Sequence, residues 1–202
     1  MNITVLGATG GTGTQVVQQA LAAGHSVTAL VRSPEKMPVT DPHLRVVQGD
    51  ATDQASVARA LEGADAVISA LDATGPVVAE ATRAILGAAN AEVAPRVVMM
   101  SSFAVQRDRL KGVARLITGA TTGAKMKDKV AGEEALRGSN FRWTIVYATL
   151  LSNGPRQGVK VVPESSKVGM SDRISRADAA SFLLEAATAG DYDRRSVLIT
   201  GA

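Results

Sequence analysis

The feature that most constrains this chain lies at its start, where an apolar run, Ile3-Thr4-Val5-Leu6, leads directly into Gly7-Ala8-Thr9-Gly10-Gly11-Thr12-Gly13. The segment Thr14–Ala23 follows, and it places Val16, Val17, Ala20 and Leu21 on one helical face before Gly24 ends it. A strand, a glycine-rich turn and an amphipathic helix in this order form the first βα unit of a parallel α/β sheet. Gly7 permits the tight turn out of the strand, Gly10 lets the backbone approach an anion, and Gly13 allows the helix to pack closely on the sheet. The unpaired N–H groups of Gly11–Thr14 then face a pyrophosphate, aided by the helix dipole. A turn that merely needs small residues would use the same glycines; the flanking strand and helix favour the phosphate loop.

Strand-length apolar runs recur at Val27–Val31, Leu44–Gln48, Ala66–Ala70, Arg96–Met100, Phe141–Tyr147 and Val197–Thr200, separated by helix-length segments. This alternation predicts an α/β fold: a doubly wound, mostly parallel sheet (Rossmann fold) with helices on both faces, in a single domain spanning residues 1–202. Thr52 is expected to cap a helix carrying Val57, Ala60 and Leu61. Ser175 and Asp178 form a capping-box pattern ahead of Phe182, Leu183 and Ala186. Two stretches resist assignment: Ser101–Lys125, interrupted by Gly112, Gly119 and Gly123, and Gly154–Ser171, rich in Gly, Pro and Ser. Both follow the carboxyl ends of strands, where ligands bind in such sheets. Loops over about 101–127 and 150–174 are therefore expected to wall a substrate pocket, long surface loops being the alternative.

At the end of the second strand, where an acid would bond the ribose 2′-hydroxyl of NAD, the chain has Arg32 and Ser33. A guanidinium cannot accept those protons, but it makes paired charge-assisted bonds to a 2′-phosphate, so NADP(H) is expected over NAD(H) unless Arg32 is simply solvated. Asp50 and Ala51, after the third strand, suit an adenine edge; Asp50 serves equally well as a turn residue. Ala70 and Leu71 end the fourth strand, and Tyr147, Ala148, Thr149 and Leu150 end the sixth, which makes them further candidate cofactor contacts. Tyr147 either enters the site or packs in the core. Ser101 and Ser102, at the end of the fifth strand, are the candidate catalytic pair: they either bond a carboxamide or an acceptor carbonyl, or satisfy backbone groups where strand becomes loop.

Composition removes several chemistries. The chain contains no cysteine, which excludes disulfides, thiol nucleophiles and cysteine-held metals, and only two histidines, His25 and His43. No metal-ligand spacing is present, so no metal is expected. Aromatic residues make up 3%, too few for a base-stacking platform, and nucleic acid is not an expected partner. Between Gln106 and Lys129, Arg107, Arg109, Lys111, Arg115, Lys125, Lys127 and Lys129 face only Asp108 and Asp128, whereas the whole chain carries a net charge of +3. This basic segment is expected to flank the pocket mouth and favour an anionic acceptor. With no leader or long apolar segment, the expectations are a cytoplasmic protein without membrane association, a monomer or small homo-oligomer.

GATGGTG at Gly7–Gly13, Leu30–Arg32, Gly49–Asp50, Ser101-Ser102 and Ile174-Ser175-Arg176-Ala177-Asp178 resemble, in order and spacing, the atypical short-chain dehydrogenase/reductases of NmrA-like or NAD(P)H-binding type. Size and the run from Gly7 to Ser33 look most like the flavin reductase/biliverdin-IXβ reductase branch. That resemblance implies NADPH binding and hydride delivery to a flat conjugated acceptor such as a flavin, quinone or bilin. Two departures qualify it. Lys129 matches the lysine of the usual Tyr-x-x-x-Lys pair, but Lys125 stands where the tyrosine would be. Leu150 stands where the branch carries a histidine. The expected function is an NADPH-dependent reductase in which the cofactor carries the hydride and the protein orients and encloses. A non-enzymatic NADP(H)-binding regulator or redox sensor of NmrA-like type is the alternative.

Overall fold

A computed structural model describes residues 1–72, 75–89, 94–111 and 123–202. The first half alternates strand and helix: β1 (Asn2–Leu6), α1 (Gly11–Ala22), β2 (Ser26–Val31), β3 (Leu44–Gln48), α2 (Gln54–Leu61), β4 (Ala66–Ser69) and α3 (Val77–Ala88). The second half contains β5 (Arg96–Ser102), α4 (Gly123–Arg137), β6 (Trp143–Ala148), β7 (Leu150–Ser152), β8 (Val159–Val161), β9 (Arg173–Ser175), α5 (Arg176–Thr188) and β10 (Arg195–Gly201). Eight strands form one sheet in the order β3-β2-β1-β4-β5-β6-β10-β8, parallel throughout except for β8, which runs antiparallel to β10. β7 and β9 pair in a separate two-stranded parallel sheet.

The strands are near-continuous apolar runs because both sheet faces are covered. Alternate residues of β1 show the division. Ile3 and Val5 join Val27, Val98 and Val146 under α1 and α5, whereas Leu6 joins Val97, Met99 and Ile145 under α2, α3 and α4. The chain winds outward from β1 to β3, then returns to β4 on the other side of β1 and winds the opposite way. Adjacent crossovers therefore leave on opposite faces at β1 and β4, which opens a crevice beyond their carboxyl ends.

The seven expected strands and the doubly wound architecture are present. Helix α1 starts at Gly11, three residues before the expected Thr14, so the last part of the glycine run is already helical. Asp53 rather than Thr52 caps α2: its carboxylate accepts from the N–H of Ser56 at 2.9 Å, while the Thr52 hydroxyl donates to Asp50 at 2.8 Å. Ser175 caps α5 as expected, accepting from Asp178 N–H at 2.9 Å. Gly123, expected to interrupt the helical pattern, lies within α4. The stretch after β5 begins with two short 3₁₀ turns, Phe103–Val105 and Arg107–Arg109; Gly112, Arg115 and Gly119 lie outside the described residues. β7, β8 and β9 were not expected. At three residues each, they are too short for strand periodicity to register.

Asp178 of α5 anchors the segment leading into β8. Asp178 accepts the Ser175 hydroxyl at 2.6 Å and the backbone N–H groups of Gln157 and Gly158 at about 3.0 Å. Burial works against this anion, but those donors outweigh it and hold the carboxyl below the ordinary aspartate range. A depressed acid contributes stability above its unfolded pKa, and loses it as pH falls through the folded one. Asp178→Ala should therefore cost about 1–3 kcal/mol in urea unfolding at neutral pH, because it strands the buried Ser175 hydroxyl and releases two partly buried backbone N–H groups. The gap to wild type should narrow below pH 4. A neutral-pH difference under about 0.5 kcal/mol, the usual range of surface substitutions, would show that the clamp contributes nothing.

Candidate functional site

The glycine loop sits where α1 meets the crevice. Gly7 has φ +80°, and a Cβ there would lie 2.8 Å from the carbonyl oxygen of Ala70 at the end of β4. At Gly13 a Cβ would overlap the Gly7 carbonyl. Gly10 N–H is already bonded to Gly7 O at 2.9 Å, and the first helical bond runs from Thr14 N–H to Gly10 O. Gly11, Thr12 and Gly13 therefore present N–H groups with no protein partner among the described residues, and Gly10 brings no side chain to cap them. This narrows the expected set, Gly11–Thr14, by one residue. Three convergent donors at a helix N-terminus, on backbone a side chain would obstruct, fit a pyrophosphate.

Two cavities open on either side of this loop. One, of about 230 Å³, is lined by Gly7 and Thr9 of the loop, Val31 and Arg32 after β2, Gly49, Asp50 and Ala51 after β3, and Leu71 after β4. Arg32 is exposed. Asp50 forms a turn, accepting the N–H and hydroxyl of Thr52 at 2.9 and 2.8 Å. Both bonds fall on Oδ1, which leaves Oδ2 toward solvent and cavity. These bonds, with Arg32 nearby, hold the Asp50 carboxyl below its ordinary range. Ser33 is half-buried beside Arg32 at the head of a 3₁₀ turn.

The second cavity, about 410 Å³, lies beyond β5, β6 and β7 and is mainly apolar. Met100, Phe103, Ala148, Leu150, Leu151 and Met170 supply its walls, and Ser101, Ser102, Thr149, Asp72, Lys125, Lys129 and Arg176 its polar groups. Lys125 and Lys129, one turn apart on α4, share Asp72: their ammonium groups lie 3.0 and 3.6 Å from its Oδ1. Burial lowers the Lys129 pKa below the ordinary lysine range; Asp72 opposes the shift and the Lys125 charge reinforces it. Among the described residues of the basic segment, only these two lysines line the cavity. Arg109 is turned to the carbonyls of Val162 and Pro163, at 3.1 and 2.7 Å.

Ser101 and Ser102 are not equivalent. Ser101 donates its only hydroxyl proton to Glu133 Oε1 at 2.6 Å, so it offers lone pairs alone to any other partner. Ser102 accepts from Ala104 N–H at 3.3 Å and keeps its proton free. Tyr147 does not line the cavity, although it shares Glu133 with Ser101. It is fully buried on the α4 side of the sheet, donates to Glu133 Oε2 at 2.5 Å and accepts from Arg137 at 2.7 Å. Asp72 and Glu133 were absent from the sequence reading. Asp72 follows the fourth strand as Asp50 nearly follows the third, a signal that was available; Glu133 looks like any exposed helical acid.

With this geometry in view, similarity to known proteins is decisive. The family described as NAD(P)H-binding matches over residues 7–189. The chain belongs to that family. A (4-alkanoyl-5-oxo-2,5-dihydrofuran-3-yl)methyl phosphate reductase of Streptomyces griseus is 34% identical over 152 residues, 75% of this chain and 49% of that protein. The chain spans about half the length of the curated relatives it matches. Among solved structures, a Veillonella parvula short-chain dehydrogenase/reductase in complex with NADP has a TM-score of 0.83 at 19% identity, covering 98% of this chain and 93% of that one. An anaerobilin reductase from Escherichia coli O157:H7 gives 0.81 at 20% identity, with 98% and 96% covered. At these identities the solved structures establish the Rossmann-type fold alone. Among the described residues no cluster of metal-ligating side chains occurs, and no helix is long and apolar enough to cross a membrane.

Burial, then the bond to Glu133, raise the Tyr147 pKa to about 12. In a Tyr192→Phe variant, the remaining tyrosine should ionise near that value and not near 10, followed by phenolate absorbance. Because the folded pKa is raised, the stability that this network gives is complete below the unfolded value, near 10, and is lost as pH rises through about 12. An ionisation step near pH 10 in the folded protein would contradict the buried bond.

Proposed function

We propose that this protein is an NADPH-dependent reductase of a flat conjugated acceptor, flavin, quinone or bilin-like, with a preference for acceptors that carry an anionic group. The observation carrying this reading is the run of three adjoining sites: Arg32 and Asp50 around one cavity, three free N–H groups on the glycine loop, and an apolar cavity with two lysines. The first would hold the adenosine end, the second the pyrophosphate, and the third the nicotinamide and acceptor. A bound nicotinamide cofactor supplies the hydride.

In this reading the backbone of Gly11–Gly13 orients the cofactor and Arg32 selects the 2′-phosphate. Lys129 lies under the nicotinamide end, where its buried charge favours negative charge developing on the acceptor. Met100, Phe103 and Leu150 exclude water from a planar ring. Ser102, with its proton free, donates to an acceptor carbonyl or ring nitrogen, while Ser101, committed to Glu133, accepts from the carboxamide. No tyrosine hydroxyl lines the cavity to serve as the acid an alkoxide requires. A conjugated acceptor tolerates this, because it delocalises the incoming charge and can take its proton from solvent. The Streptomyces relative, a reductase of a phosphate-bearing dihydrofuran, supports an anionic acceptor, and Lys125 at the cavity mouth is the residue to bind it.

The test mixes purified protein and NADPH with flavins, quinones and bilins, and follows the nicotinamide absorbance. Turnover is expected with a planar acceptor, whereas oxidation of simple secondary alcohols with NADP⁺ should be slower by about 10²–10⁴ for want of the general acid–base. Tight NADPH binding without turnover of any acceptor would favour the regulator over the enzyme. Lys125→Ala should raise KM for a phosphate-bearing flavin about two- to fivefold while leaving a neutral quinone unchanged, since an exposed pair contributes up to about 1 kcal/mol.

Cofactor choice has its own test. Charge-assisted bonds contribute about 1.5–3 kcal/mol each, so Arg32→Ala should weaken NADPH by roughly ten- to a hundredfold and leave NADH nearly untouched. Equal losses for both cofactors, read by fluorescence titration, would remove Arg32 from the 2′-phosphate.

A further inference from the structure

Arg176 is the first residue of α5, which packs beside α1 on the same face of the sheet, and its side chain lies against Gly11 of the glycine loop. A Cβ at Gly11 would meet Arg176 Cδ at 2.8 Å and Nε at 2.9 Å, so the arginine stem occupies the space that glycine leaves open. A side chain at Gly11 would therefore have to displace the arginine. The guanidinium also lines the larger cavity together with Lys129 and Thr149, and takes no part in the smaller one. Its Nη1 donates to Asn153 Oδ1 at 2.7 Å, and that is its one protein hydrogen bond among the described residues. The remaining N–H groups are free, within a few ångströms of a loop that presents unpaired N–H groups of its own.

Charge adds a reason. A pyrophosphate brings two negative charges, yet Gly7–Thr14 contains no charged side chain and the first turn of α1 has no acid. Backbone N–H groups and the helix dipole supply only partial positive charge there. Arg32 belongs to the other cavity, and Lys125 and Lys129 are engaged with Asp72. Arg176 packs directly on the loop, and its planar fork matches phosphate oxygens two at a time.

We propose that Arg176 is the side-chain counter-ion of the nicotinamide-side phosphate, adding a full positive charge beside the N–H groups of the glycine loop. The assignment rests on the NAD(P)H reading given above and adds the residue that closes its phosphate site. The nicotinamide side follows from the cavity to which the guanidinium belongs. The same arginine holds Asn153, at the start of the segment that Asp178 fixes through Gln157 and Gly158. Cofactor and acceptor wall are thereby joined through one side chain.

Two ligands separate this role from a general loss of the fold. NADP⁺ carries both phosphates of the bridge, whereas adenosine 2′,5′-bisphosphate carries only the adenosine-side one. Arg176→Met keeps an apolar stem against Gly11 and removes the charge. It should weaken NADP⁺ by about tenfold or more in calorimetric titration and shift adenosine 2′,5′-bisphosphate by less than about threefold, with thermal unfolding of the free protein unchanged. Arg176→Lys should recover part of the NADP⁺ affinity, since it restores charge without the fork. NADP⁺ binding unaffected by Arg176→Met, or equal losses for both ligands, would overturn the assignment while leaving the NAD(P)H reading intact. Wild-type protein that binds neither ligand would overturn both.

Discussion

The contact on which the rest of this structure depends is the approach of α1 to the turn that follows β1. Gly13 lies so close to the Gly7 carbonyl that any Cβ would collide with it, and Gly7 itself touches the end of β4. These contacts fix the N-terminus of α1 over the gap between β1 and β4, where the winding reverses. Packing and function then coincide. The glycines that allow the helix to sit tightly against the sheet also leave three N–H groups bare at the crevice, and a side chain at Gly7 or Gly13 would force this backbone apart.

Much of this was legible in the sequence because parallel strands covered on both faces are continuous apolar runs, and the first βα turn has little freedom of composition. The strands Leu44–Gln48 and Arg96–Met100 could be read directly, and the glycine loop announced its own geometry. Illegible elements share a physical character. β7, β8 and β9 owe their existence to partners far along the chain, β8 to β10 and β7 to β9, and three residues carry no period of their own. The cap of α2 illustrates a finer ambiguity: Thr52 and Asp53 are both good caps, and Asp50 decides between them by taking the Thr52 hydroxyl for its own turn.

At the site, the strand period of two explains what spacing alone concealed. β5 and β6 pair with Ser101 opposite Tyr147 and Ser102 opposite Ala148. Neighbouring residues must point to opposite faces, so Ser101 and Tyr147 share one face and meet the buried Glu133 of α4, while Ser102 and Ala148 take the other. The serine pair thereby divides into an acceptor with a committed proton and a donor with a free one. Glu133, accepting Ser101, Tyr147 and Arg137, is the buried acid that makes the division. Removing one partner of such a network costs more than its hydrogen bond is worth, because the remaining polar groups stay buried.

The two lysines at the cavity complete the electrostatic design. Placed one turn apart on α4, they repel each other by roughly 0.2–0.5 kcal/mol on a solvated helix, and more where one is buried. Asp72 relieves that repulsion by reaching both, but the two contacts are unlike. Lys129 is almost fully enclosed, so its charge cannot leave the cavity; Lys125 and Asp72 are partly exposed, and their pair is therefore weak and exchangeable. In the proposed reading, an anionic group on an acceptor displaces Asp72 from Lys125 at little cost, and the like-charge relief passes from protein to ligand. Lys129 keeps its position throughout, held by burial and not by the ion pair. In that reading one lysine serves binding and the other the reacting end, so that two like charges one turn apart take different tasks according to their burial.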